Sequence, residues 1–193
     1  TNPAQYVRRL MARRPTDDAL HQRLPDIVDA GLTTDGVATL REMLGRKNSL
    51  LVSRAAKATA TLDAKELGSD LSAAFARLMD AGAKADEGCL AKVALVEAMD
   101  AIGSLDRESF LEGIRHVQME AAYGGAVDTA PPLRTACAFA LARLGGADAM
   151  LAITALVADS QVQARVGAVK AVAHRGGIEA ELVLRLKALS GDV

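Results

Sequence analysis

The chain has 193 residues, half of them hydrophobic and 24% charged, which fits one folded domain or one repeat array and excludes a disordered polypeptide. Lys and Arg number 23 against 24 Asp and Glu, a formal net charge of -1, so no global charge draws the chain to nucleic acid or to an anionic membrane. Aromatic residues make up only 3%, Trp is absent, and the apolar half is chiefly Ala, Leu and Val, a helix-former's composition.

In chain order, Asn2-Pro3 reads as a cap followed by a first-turn proline, opening a basic helix through Arg13 that Pro15 ends. Thr16-Asp17-Asp18 opens the next helix, Pro25 interrupts it, and Thr33-Thr34-Asp35 caps a third. From there the apolar spacing of three and four predicts helices in pairs: 48–62 with 69–81, 86–102 with 106–121, 131–144 with 147–158, and 160–175 with 178–189. No segment alternates with a period of two, so no strand is expected. The longest apolar stretch, 150–158, is too short to span a bilayer, and no signal-peptide pattern stands before the first predicted helix. Cys89 and Cys137 lack CxxC spacing and read as reduced, buried small hydrophobes. These features place the expected chain in the cytoplasm, off the membrane.

Superposing the Ala-rich helices gives a ladder. An Asp or Asn stands six residues before a base in Asn48 and Arg54, Asp86 and Lys92, Asp128 and Arg134, and Asp159 and Arg165. The second residue after each base is Ala56, Ala94, Ala136 or Gly167, and the sixth is Ala60, Ala98, Ala140 or Ala171. The eleventh is Gly103, Gly145 and Gly176 in the last three units, whereas the first has Lys65. Small side chains are what helices need where their backbones approach to roughly 8 to 10 Å. A glycine at the eleventh position suits a left-handed helix end. The acid or amide accepts from free N–H groups at the helix start, and the base is expected to bond the turn of a neighbouring unit.

These residues resemble HEAT repeats, in particular the short HEAT-like type of phycobilisome lyases, in which an Asp in the turn precedes an apolar residue and a base opening an Ala-rich helix that ends in Leu-Gly. DTAPPLRTACAFALARLGG and DSQVQARVGAVKAVAHRGG are the nearest copies, ADEGCLAKVALVEAMDAIG is less near, and NSLLVSRAAKATATLDA is the weakest. The resemblance implies an all-α fold, a right-handed α-α superhelix (HEAT-like solenoid) of about four to five helical hairpins. It divides a single domain into N-terminal capping helices over 1–33, repeats over 34–177 and a C-terminal capping helix over 178–193. It also implies an interaction scaffold rather than a reaction.

The residues themselves offer no catalytic constellation, no Gly-rich phosphate loop and no nucleophile elbow, so neither an enzyme nor a cofactor is expected. His21, His116 and His174 are scattered, and no His-Glu dipeptide occurs. His116 and Glu120 share a face if helical, but two ligands do not make a metal site. With three Phe, two Tyr and no Trp, the chain lacks the stacking surface that base-handling HEAT-like enzymes need.

In a stack, corresponding columns line one surface. The fifth and ninth positions after each base are Thr59, Glu97, Phe139 and Lys170, then Asp63, Ala101, Arg143 and His174. Glu97, Phe139, Arg143, Lys170 and His174 are the candidate partner-binding residues, and the expected partner is another protein. The basic run 6–14, with Arg8, Arg9, Arg13 and Arg14, is a second candidate surface. The alternatives to a protein scaffold are a nucleic-acid-binding HEAT-like module and an accessory lyase or modifying subunit.

Overall fold

The computed structural model describes residues 15–190, so the basic run 6–14 lies outside the described residues. Within them the chain forms ten α-helices and one β-hairpin. The helices are α1 (Asp17–Ala30), α2 (Thr34–Leu44), α3 (Ser49–Thr61), α4 (Gly68–Ala81) and α5 (Leu90–Ala101), then α6 (Arg107–Gly113), α7 (Pro131–Leu144), α8 (Ala147–Leu156), α9 (Val162–Arg175) and α10 (Gly177–Leu189). The antiparallel strands β1 (Met119–Ala122) and β2 (Gly125–Asp128) lie between α6 and α7. Several helices begin where a short polar side chain can accept a free N–H: Thr16 from Ala19, Thr33 from Gly36, Asn48 from Leu51 and Asp106 from Ser109.

The alternate helices pack side by side. α1 lies against α3, α3 against α5, α5 against α7 and α7 against α9, making one row. The others flank it, with α2 on α3, α4 on α5, α6 on α7, α8 against both α7 and α9, and α10 on α9. The row is close because its contacts are small: Ala94, Ala98, Ala140, Gly167 and Ala171 are buried. Phe75 and Phe110 fill the space toward the flanking helices and are fully buried. Arginines tie neighbours by donating to carbonyls at helix ends, Arg77 to Leu44 and Arg46, and Arg107 to Gly145.

Each row helix is followed by a residue of positive φ: Gly31 (φ 76°), Asp63 (48°), Gly103 (74°), Gly145 (70°) and Gly176 (67°), the last two followed at once by a second, Gly146 (92°) and Gly177 (86°). The residue eleven positions earlier is Leu20, Val52, Lys92, Arg134 and Arg165. The first four are buried, and Arg165 is half-buried. The first unit's ladder position is therefore Val52 rather than Arg54, a shift of two residues. Arg54 is exposed and donates to His21 Nδ1 (3.2 Å), while Asn48 serves as the cap of α3. Asp63 takes the turn that Gly103 takes, the next N–H reaching back five residues in both (Ala64 to Thr59, Ser104 to Met99), so the unit that Lys65 made look irregular has the backbone of the unit after it.

Two predicted helices are corrected. α5 starts at Leu90 rather than 86, because Gly88 (φ 70°) and Cys89 (φ 56°) break the helical path. The helix expected over 106–121 stops at Gly113, and 119–128 form the hairpin around Gly124-Gly125. Tertiary hydrogen bonds override helix propensity there: Gln118 is drawn inward to Asp86 and Lys92, and its backbone N–H and C=O are taken by Asp128 and Thr129.

Candidate partner-binding groove

The turn landmarks fix which side chains share a face. Two before the ladder position stand Leu90, Pro132 and Gln163; one after it, Val93, Thr135 and Val166; five after it, Glu97, Phe139 and Lys170. These spacings of three and four put each trio on one stripe of its helix. Across α5, α7 and α9 most of these residues line one groove of about 710 Å³, with Ala136, Gly167 and Asp100 completing it. A neighbouring hollow of about 620 Å³ lies between α3 and α5, lined by Leu50, Ser53 and Lys57 on one side and Leu90, Val93 and Glu97 on the other. The two share Val93, Glu97 and Pro132, so the hollows adjoin along the row.

Its floor is apolar and its rim carries both signs. Leu50, Leu90 and Val166 are exposed, Val93 and Phe139 half-exposed. Lys57, Lys84 and Lys170 share the lining with Glu87, Glu97 and Asp100. Of the predicted binding residues, Glu97, Phe139 and Lys170 are brought together here. His174 is exposed beyond them, its ring edge-on to Phe139 with centroids 6.0 Å apart. Arg143 does not line the groove, although its partner Asp100 does. It pairs with Asp100 and donates to the Ser104 carbonyl (2.8 Å), tying the end of α7 to the turn after α5. Thr59 is buried, its hydroxyl donating to Ala55, and the shift of two residues puts Lys57 in its place. Sequence reasoning missed Leu90, Val93, Pro132 and Val166. Their spacing of three and four from Glu97, Phe139 and Lys170 was the available signal.

The ladder residues form joints on the buried side. Asp86 accepts from the N–H groups of Ala91 (2.8 Å) and Lys92 (2.9 Å). The ammonium of Lys92, fully buried, lies 3.5 Å from Asp86 and 2.9 Å from Gln118 Oε1. Gln118 donates in turn to the Asp86 carbonyl and to Glu120, which also accepts from Gly88 N–H and the Thr129 hydroxyl. Those donors, Gln118 foremost, hold the Glu120 carboxyl below its ordinary range. One unit on, Arg134 reaches Asp128 (2.8 Å) and Asp159 (3.0 Å). Burial pushes the Asp128 carboxyl up, but hydrogen bonds from Ala130 N–H and Arg134 outweigh it and the net shift is downward. Arg165 donates to the carbonyls of Asp159 and Ser160. A buried lysine whose partners are all satisfied is a joint between hairpin and row.

Neither cysteine is set up as a nucleophile. Burial pushes the Cys89 thiol up to about 11 and raises that of Cys137 as well. His116 and Glu120 do not share a helical face, since Glu120 lies on β1; both instead approach Gln118. Among the described residues no group of three or more His, Cys, Asp or Glu side chains is placed to hold a metal ion. None of the described helices is long and apolar enough to cross a membrane. A scan against protein-family models and a search of curated proteins both find no match for the chain.

Proposed function

We propose that the chain is a non-catalytic HEAT-like repeat protein, a right-handed α-α superhelix, that binds another protein in the groove along α3, α5, α7 and α9. One observation carries this reading: five row helices are each followed by a positive-φ residue eleven positions after an inward-facing one, and the outward stripes of α3, α5, α7 and α9 line two adjoining hollows. Repetition of that kind supports a stack whose units contact only their neighbours and present one shared surface. An apolar floor with an exposed polar rim is the make-up of a protein interface. The mixture of lysines and carboxylates weighs against a nucleic-acid track, which needs a run of bases beside stacking aromatics.

The test places a photo-cross-linking residue at Val93, at Val166 and, as a control, at Ala73 on the exposed side of α4. The same protein is expected on Val93 and Val166 and not on Ala73. Phe139→Ala and Lys170→Glu should then each weaken its binding, the former by about tenfold or more as an aromatic anchor. A captured protein held at wild-type affinity by both variants would remove the groove reading. A steep salt dependence of DNA or RNA binding would favour the nucleic-acid alternative instead.

A further inference from the structure

The turn that opens α5 lies outside the conformation its sequence prefers. Apolar spacing predicts a helix from 86, yet Gly88 (φ 70°) and Cys89 (φ 56°) stand in the left-handed region and α5 begins at Leu90. Among the described residues, Cys89 and Asp63 are the non-glycine residues of positive φ. Such strain persists where the surroundings over-determine it. Here the surroundings are the hairpin. Glu120 Oε1, on β1, accepts the Gly88 N–H (2.8 Å) and is itself held by Gln118 Nε2 (2.6 Å) and the Thr129 hydroxyl (2.8 Å). Gln118 Nε2 also donates to the Asp86 carbonyl (2.8 Å), at the start of the same turn.

The turn has a second side. Glu87, Gly88 and Leu90 line the hollow of about 620 Å³ between α3 and α5, together with Leu50 and Ser53 of α3. Lys84 and Glu87 also line a hollow of about 400 Å³ that reaches Met119, Glu120 and Ala121 on β1. The turn over 87–90 thus stands between the hairpin and the groove. Building on the groove reading above, we infer that Glu120 is a positioning residue for the binding site: its carboxylate holds the Gly88–Cys89 turn left-handed, and that turn sets where Glu87 and Leu90 stand in the groove. Released, the segment falls back on the helix that its own sequence prefers, with Asp86 as the cap. Coupling of this kind is reciprocal, so a partner seated against Glu87 and Leu90 tightens the hairpin in turn.

The chain has no Trp, so one introduced tryptophan can report on each hollow. Leu50→Trp places it between α3 and α5, and Val166→Trp places it in the hollow across α5, α7 and α9. On the Leu50→Trp background, Glu120→Ala should shift the emission maximum to longer wavelength as the wall loosens. Amide exchange at Gly88 should speed up about tenfold or more, as for the loss of one hydrogen bond to a charged group. The Val166→Trp emission should stay, and Glu120→Gln, which keeps an acceptor oxygen, should move both readouts less. The protein cross-linked at Val93 and Val166, once purified, should bind Glu120→Ala about tenfold more weakly, although Glu120 lies outside the groove. Unchanged exchange at Gly88, a Leu50→Trp emission that moves no more than that of Val166→Trp, or unaltered affinity for the captured protein would each overturn the proposal. Failure to capture any protein would instead remove the groove reading, and the exchange and tryptophan results would still decide whether Glu120 sets the wall.

Discussion

Arg134, on α7, holds the carboxylate of Asp159, twenty-five residues away at the turn before α9, at 3.0 Å, while its other nitrogen stays with Asp128 at 2.8 Å. Because the guanidinium is almost fully buried, removing it takes a charged partner from two acids at once and leaves them backbone N–H donors. Arg134→Ala is expected to cost about 3 to 5 kcal/mol in chemical denaturation, the range for breaking a buried pair. A double-mutant cycle with Asp159→Ala should show a coupling of at least about 0.5 kcal/mol. Additive losses would mean that the contact does not join the two units.

Acid should loosen the same joints. The folded-state carboxyls of Asp128 and Glu120 lie below their ordinary values of 3.8 and 4.5. Each therefore contributes stability that is fully present above its ordinary value and is lost as pH falls through the lowered one. Melting temperature should be level from neutrality down to about pH 5 and fall below about pH 4.5. Asp128→Asn should start lower and show a shallower acid drop; an unchanged slope would remove Asp128 from the account.

At Gly167 α9 comes close against α7. A β-carbon built on Gly167 would fall on the Thr135 hydroxyl and within 2.8 Å of its Cβ. Gly167→Ala should cost about 1 to 3 kcal/mol by forcing the two helices apart, despite alanine's better helix propensity. On a Thr135→Ala background, which removes the hydroxyl and the γ-methyl, the same change should cost less. Equal costs on both backgrounds would show that Thr135 is not the obstacle.

Asp63 offers the opposite case. Its φ of 48° is costly for a residue with a β-carbon, though Asp tolerates it better than most. Asp63→Gly should be neutral or stabilising by up to about 1 kcal/mol, since the exposed pair with Lys65 that it loses is worth little. Asp63→Val should destabilise by about 1 to 2 kcal/mol. A melting point raised by valine would contradict the turn assignment.

Where small residues and glycines punctuate the chain its helices are legible in the sequence, and Gly103, Gly145 and Gly176 align the three later units. The first unit was misaligned because sequence comparison weighs residue identity. Arg54 matched a base and Lys65 failed to match a glycine, whereas the backbone repeats at Val52 and Asp63. The hairpin over 119–128 was hidden for a different reason: local propensity there permits a helix, and only the distant Asp86 and Lys92 draw Gln118 inward. Glu97, Phe139 and Lys170 followed from helical periodicity alone. Arg143 shows its limit, for a face assignment cannot tell that Asp100 and a carbonyl already hold the guanidinium.

The two buried thiols make this protein its own stopwatch. Cys137 faces Gly113 so closely that a β-carbon there would lie 2.5 Å from its sulfur, and Cys89 sits at the joint beneath the hairpin. Both are fully buried, so an alkylating reagent meets either sulfur only when its surroundings part. The labelling rate at Cys89 then reads how often the hairpin lifts from the row, and that at Cys137 how often α6 leaves α7. Two rates from one untagged chain give the opening frequency of adjacent units separately, and a bound partner that clamps the groove would slow one, the other, or both according to where it grips.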